Sequence, residues 1–328
     1  MNFLYYNMRC EIQLGKVKTN VVNSIQIDQS IKKLTDTAVI QLPRNLVVKR
    51  DGQQDSLEGK KVRDFIKVGD RVQIKLGYDD ELKSEFTGYI TKIGADAPLV
   101  IHCEDEMWQL KQNKITKSYK QVKLLTLLQD IAPGYEYEVI DNISLGKFRI
   151  DKASAYEVLS QLQKKYGLFS RFTGKVLHVG FPVSIKPSVK HPINLNRNVR
   201  AQRSDLKFVS KDDLKVMIKA ISLNNDGSRL SADFGDKNGA VRTLHFTGKT
   251  LQELKELAEK NYKSLSFDGF QGKLPTWGLP RIKAGDAVSI TDPAYNGEHD
   301  GTYLNEAVQI KFNGSEGFKR ENTLSMKL

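Results

Sequence analysis

The side chains of this 328-residue chain that could do chemistry are five histidines, two cysteines and one run of three carboxylates. His102, His178, His191, His245 and His299 are neither in an H-E-x-x-H pattern nor beside a cysteine cluster, so metal-ligand spacing is missing. They read as structural histidines. Cys10 and Cys103 stand far apart without a C-x-x-C partner and read as small buried hydrophobes. Glu104-Asp105-Glu106 could be imagined as an acid/base set, but it follows a strand, where successive side chains point to opposite faces. A solvated strand end is expected there. Asn313-Gly314-Ser315-Glu316-Gly317 lacks the G-x-S-x-G spacing of a nucleophile elbow and reads as a hairpin loop. No phosphate-binding glycine loop follows a strand. The expectation is no catalytic residue, no metal and no cofactor.

Net charge is +12, which raises a nucleic-acid reading. Residues 1–112 carry 17 basic and 16 acidic side chains, residues 113–190 carry 13 and 6, and residues 191–328 carry 21 and 17. The excess therefore lies mostly in the middle. Its lysines (Lys114, Lys117, Lys120, Lys123, Lys164, Lys165, Lys175) are scattered with few aromatics between them, so a solvated basic face is expected. No run approaches eighteen apolar residues, and Met-Asn-Phe-Leu-Tyr-Tyr-Asn has no basic or apolar leader pattern. Intracellular synthesis and no membrane insertion are expected.

The elements that must position these residues are mostly strands at either end. Val22–Ile27, Ala38–Leu42, Val72–Leu76, Phe86–Ile93 and Leu99–Cys103 read as short strands, with a polar loop over Asp51–Lys61. The period then changes. Val122, Leu124, Leu125, Leu128 and Ile131 mark a helix ended by Pro133-Gly134. Ser154-Ala155-Tyr156-Glu157 is a capping box opening a second helix, with Gly167 as its stop and a hairpin beyond. Pro182, Pro187 and Pro192 mark a linker. Strands return at Lys215–Leu223, Arg229–Phe234 and Ala240–Phe246, separated by Asn224-Asn225-Asp226-Gly227 and Gly235–Gly239 turns. Thr250–Glu253 caps a third helix, and strands close the chain.

One pattern occurs twice. Gly69-Asp70-x-Val72-x-Ile74 matches Gly285-Asp286-x-Val288-x-Ile290, and a glycine follows each at 19 or 16 residues (Gly88, Gly301). Two β domains of one ancestry would explain the echo. The Gly-Asp pairs also have a plain reading as turn residues before a strand.

Gly278-Leu279-Pro280-Arg281-Ile282-Lys283-Ala284-Gly285-Asp286-Ala287-Val288, after the helix and Gly269-Phe270-Gln271-Gly272, resembles the C-terminal part of the late-control D proteins. These are the tail baseplate hubs of contractile-tailed phages. Ile25–Pro43 is similar to the opening of those hubs, and Ser154–Gly167 with its hairpin to their middle. The resemblance implies a mainly β fold with α+β content: two tube-like β-barrel domains, 1–112 and 191–328, flanking a small α/β domain at 113–190. It implies a homotrimeric ring joining a central spike protein to the sixfold tail tube or tube initiator, with baseplate wedge proteins around it. DNA would only pass through the channel. Gly69, Asp70, Gly285 and Asp286 would be structural turn residues of the repeated motif. The place implied is the virion tail baseplate of a prophage-encoded particle made in the bacterial host cytoplasm. With no lysozyme or needle extension before Leu328, piercing would fall to a separate partner. The hub of a type VI secretion or extracellular contractile injection system is the near alternative. A nucleic-acid-binding protein and a peptidoglycan hydrolase are alternatives of other classes.

Overall fold

The computed structural model describes residues 7–43, 47–50, 53–56, 64–94, 98–140, 142–181, 186–187, 189–199, 205–213, 215–224 and 228–328. The fold is mainly β. The first third supplies β1 (Met8–Leu14), β2 (Val17–Thr19), β3 (Ser24–Ser30), β4 (Thr37–Leu42), β5 (Val47–Arg50), β6 (Gln53–Ser56), β7 (Arg71–Tyr78), β8 (Glu81–Ile93) and β9 (Leu99–Glu104). Alternation sets their faces: Val72, Ile74 and Leu76 of β7 are buried while Gln73 and Lys75 are not. Part of the expected polar loop, Gln53–Ser56, is instead a strand paired with β5; the rest of 51–61 lies outside the described residues.

The middle of the chain is a smaller α/β part. It contains β10 (Lys114–Lys123), α1 (Leu124–Ile131), β11 (Glu136–Val139), β12 (Ser144–Ser154), α2 (Ala155–Tyr166), β13 (Phe169–Thr173) and β14 (Val176–Gly180). The capping box of α2 is formed on both sides, Ser154 Oγ accepting from Glu157 N and Glu157 reaching back to Ser154 N. Gly167 ends the helix at φ +70°. Strands β10 and β12 were not legible in sequence, because lysines at every third position hide the alternation, and bulges interrupt their register.

The last third holds β15 (Lys190–Asn194), α3 (Leu195–Asn198), β16 (Lys207–Val209), β17 (Val216–Leu223), β18 (Arg229–Gly235), β19 (Ala240–Thr247), α4 (Leu251–Leu265), β20 (Gly269–Trp277), β21 (Ala287–Thr291), β22 (Gly301–Asn313) and β23 (Gly317–Lys327). Pro192 is not in a linker but in β15, opposite Ser289 of β21. Among the described residues β15 pairs with β21 alone, and an edge strand tolerates a residue that cannot donate. Pro182 and residues 225–227 of the expected turn lie outside the described residues. Strands β17–β19 form their own sheet, and with α4 they bury a separate core of Ile218, Ala220, Ala232, Phe246, Leu254 and Ala258. This unit is inserted between β16 and β20.

Fifteen strands from both ends of the chain make one large sheet. Its two portions follow the same path. Taking β1, β3, β4, β7, β8 and β9 in chain order, the neighbours run β1-β7-β8-β9-β4-β3. Taking β15, β16, β20, β21, β22 and β23, they run β15-β21-β22-β23-β20-β16. One pairing differs in sense: β1–β7 is antiparallel and β15–β21 parallel.

The two portions meet where the distal half of β22, Ala307–Asn313, pairs with β3. Val308, Ile310, Phe312 and Phe318 accordingly complete the core of the first portion. A buried ion cluster crosses the same junction. Arg320 of β23, its side chain fully buried, donates to Glu85 Oε1 of β8 at 2.6 Å and to Gly278 O at 2.7 Å. Arg281 reaches the same carboxylate oxygen at 2.9 Å. Removing one partner of a buried pair leaves the other charge uncompensated. Arg320→Ala is therefore expected to lower stability by about 3–5 kcal/mol in urea unfolding, and a loss below about 1 kcal/mol, the range of exposed pairs, would contradict this role.

Candidate functional site

The two Gly-Asp motifs fold into turns with matching hydrogen bonds. Gly69 and Gly285 adopt φ +92° and +94°, a region open to glycine and costly for other residues. Asp70 N donates to Lys67 O (3.1 Å) and Asp286 N to Lys283 O (3.2 Å). The carboxylates close the same loops, Asp70 Oδ2 accepting from Lys67 N and Asp286 Oδ2 from Lys283 N, both at 2.9 Å. Each turn is stitched to the strand opposite: Gly69 N and Ile90 N bond to Ile90 O and Asp70 O, while Gly285 N and Asn305 N bond to Asn305 O and Asp286 O. The turns sit at corresponding places in the two strand paths, not together in one site. Gly69 lies beside the Trp108 ring and Gly285 beside the Arg171 guanidinium. The glycines downstream do not correspond, since Gly88 opposes Val72 whereas Tyr303 opposes Val288 and Gly301 opposes Ile290.

Glu104-Asp105-Glu106 is not a solvated strand end. After β9 the chain turns into a short 3-10 helix, Glu106–Lys111, which carries Asp105 and Glu106 inward. The three carboxylates go to different partners. Glu104 pairs with Lys111 at 2.5 Å, and Asp105 accepts from Met107 N and Asp36 N. Glu106 is held by Arg71, Tyr89 and Tyr135 at 3.2 Å each. Asp105 and Glu106 line one polar cavity, which Glu104 does not.

Asp36 and Asp105 line a polar cavity of about 400 Å³ where the three parts of the chain meet, together with Glu85, Arg171, Arg281 and Lys283. Arg171 of β13 donates to Ala284 O at 3.2 Å, tying the middle part to the second turn. Burial pushes the Asp36 carboxyl up to about 7, against the Ser30 N–H and the Arg171 charge, which pull it down. Burial first, and Asp36 second, hold Asp105 well above the usual carboxylate range. With a folded value above the unfolded one, Asp36 favours the fold in its protonated form. That contribution is complete below the unfolded value and fades as pH rises through about 7. Sequence reading missed Glu85 and Arg320. The signal was present for Arg320: Phe318, Arg320, Asn322 and Leu324 occupy one buried face of β23 at every second residue.

Three of the histidines meet carboxylates. His191 Nε2 lies 3.0 Å from Asp286 Oδ2, His178 Nδ1 3.0 Å from Glu138, and His299 Nδ1 3.3 Å from Asp292. Burial, then Arg171, lowers His178, and burial, then Arg229, lowers His245. Burial pushes the Cys10 and Cys103 thiols up to about 11 and about 12, which leaves little thiolate for chemistry. Among the described residues no group of three or more His, Cys, Asp or Glu could hold a metal ion.

The whole arrangement has solved counterparts. The tail protein of Neisseria meningitidis MC58 superposes with a TM-score of 0.63 at 15% identity, covering 98% of this chain and 97% of that one. The 43 kDa tail protein of prophage MuSo2 from Shewanella oneidensis gives 0.61 at 14%, covering 97% and 96%. The chain has the fold of phage tail proteins. The same tail-protein fold extends to an Escherichia coli type VI secretion component, described as similar to T4 bacteriophage tail proteins, with a TM-score of 0.59 at 8% identity over 97% of this chain and 76% of that one. No family model and no curated protein sequence matches the chain.

Because the two turns share their backbone bonds, damage is expected from the same substitution in each, the larger at Asp286, which is buried and also meets His191. Asp70→Ala and Asp286→Ala should each cost about 1.5–3 kcal/mol, the worth of a hydrogen bond to a charged acceptor. Thermal unfolding of the two variants would check it, and a loss confined to one turn would break the equivalence.

Proposed function

We propose that this chain is the structural baseplate hub of a contractile phage tail, prophage-encoded and acting through interfaces rather than chemistry. The observation that carries the reading is the six-strand path traced twice, with the same turn before the same strand in each copy. On this reading Gly69, Asp70, Gly285 and Asp286 are structural turn residues of a duplicated tube-like domain. Three chains then present six equivalent units to a sixfold tail tube, which a single-copy domain could do only with six chains. The domains correspond to 1–112, 113–190 and 191–328, with β17–β19 and α4 an insertion in the third.

The edges of the sheet support a ring. In the first portion, the outer edge of β3 is covered by β22 of the second. The equivalent strand β16 pairs with β20 and, among the described residues, has no strand on its other side. A second copy of the chain is the natural cover, and head-to-tail contacts of this kind close into a ring when the rotation permits. The hub ring joins the central spike protein to the tail tube or tube initiator, is flanked by baseplate wedge proteins, and leaves a channel for DNA in transit. Its place is the virion tail baseplate, assembled in the bacterial cytoplasm. The likeness to the type VI secretion component favours one second reading, the hub of a secretion or extracellular injection device.

The test is absolute mass by light scattering on a sizing column over a range of concentrations. A species near 111 kDa, about three times the 37.1 kDa chain, is expected. A persistent monomer would overturn the claim that the chain closes a ring unaided.

A further inference from the structure

The basic excess of the middle part is not spread evenly over its surface. Among the described residues, strands β10 and β12 pair only with each other, forming a two-stranded antiparallel ribbon. These 21 residues hold seven cations (Lys114, Lys117, Lys120, Lys123, Lys147, Arg149, Lys152) and one acid, Asp151. The inward face is apolar, with Val122, Leu145, Phe148 and Ile150 buried against the helices. All seven cations are exposed. Lys114, Lys117 and Arg149 have carboxylate partners in Glu157, Asp130 and Asp151. Lys120, Lys123, Lys147 and Lys152 have no ion-pair partner among the described residues.

Two features set this ribbon apart from an ordinary solvated face. Lys152 sits at φ +46° in a bulge, its N–H held by Thr116 Oγ1 at 3.1 Å, so a β-carbon-bearing cation occupies a position where glycine or asparagine would cost less. Moreover, none of the exposed large hydrophobic side chains lies on either strand. A protein partner would call for apolar or aromatic anchors at the centre of the patch, whereas a phosphate backbone requires cations alone. A ten-residue strand spans about 33 Å, close to one turn of duplex, and a two-stranded ribbon is narrow enough to lie in or along a major groove.

We propose that the β10–β12 ribbon is a docking strip for the phosphate backbone of duplex nucleic acid, binding without regard to sequence. This is independent of the hub reading, in which DNA only passes through a channel. The four unpaired lysines set the strength. Releasing four counterions gives a slope of about −3.6 in log K against log salt, or about a 150-fold loss between 50 and 200 mM.

The experiment uses the full chain and a fluorescein-labelled mixed-sequence 24-base-pair duplex, read by anisotropy as salt is varied. Wild type should bind with that slope, and Lys120→Glu/Lys147→Glu should weaken binding at least tenfold and flatten the slope by about 2. Lys255→Glu/Lys260→Glu on α4 makes the same change of net charge at exposed sites and should leave both nearly unaltered. Equal effects of the two variants would reduce the binding to overall charge and overturn the strip. No salt-dependent binding by wild type would overturn it without recourse to any variant. Polyglutamate displacing the duplex as well as unlabelled duplex does, charge for charge, would overturn the phosphate assignment in favour of an acidic protein surface.

Discussion

The structure turns on one strand. β22 is 13 residues long, and its two halves do different work. The proximal half pairs with β21 and belongs to the second strand path, while the distal half pairs with β3 and completes the core of the first. A shorter hairpin would leave Ile25 and Ile27 of β3 without Phe312 and Ile310 opposite, and would leave the β3 edge bare. Because the hairpin crosses, its return strand also brings Arg320 to Glu85, so one excursion supplies the backbone ladder, the apolar cover and the buried charge pair. A buried pair of this kind is costly to break, because either charge alone would be left uncompensated, and so it holds one arrangement. Here the arrangement fixed is the relative placement of the two strand paths.

That placement is what the proposed function needs. Two equivalent units can serve a symmetric partner only if their spacing is rigid, and a continuous sheet with a buried charged cross-link is a stiff connection. The α/β part hangs on this frame through Arg171, which reaches Ala284 beside the second turn, and through Tyr135, whose hydroxyl donates to Glu106. The insertion β17–β19 with α4 packs toward the same part, Phe246 meeting Phe181 at 5.5 Å between ring centres. The molecule is a frame with attachments.

Much of the frame was readable in the sequence, for local reasons. Both capping boxes, the αL stop at Gly167 and the Gly-Asp turns depend on neighbours within four residues, and each forms as its side-chain chemistry requires. The alternation of Val72, Ile74 and Leu76 needs only a buried face. What could not be read depends on distant partners. Asp105 and Glu106 turn inward because Asp36 and Tyr135 wait there, and β10 is a strand because β12 pairs with it. Pro192 joins a sheet because β21 lies on one side of it and nothing need bond on the other. The repeat itself was visible as six residues, but its meaning lies in the strand order, which no single segment carries.

The central claim is that one chain supplies two equivalent units to a closed ring. End-on averages of the purified assembly by electron microscopy test it most directly. The account predicts a ring of six evenly spaced lobes enclosing an open channel, with threefold symmetry emerging only at finer detail from the middle parts. A closed particle with a number of lobes other than six, or an open chain of subunits, would contradict it.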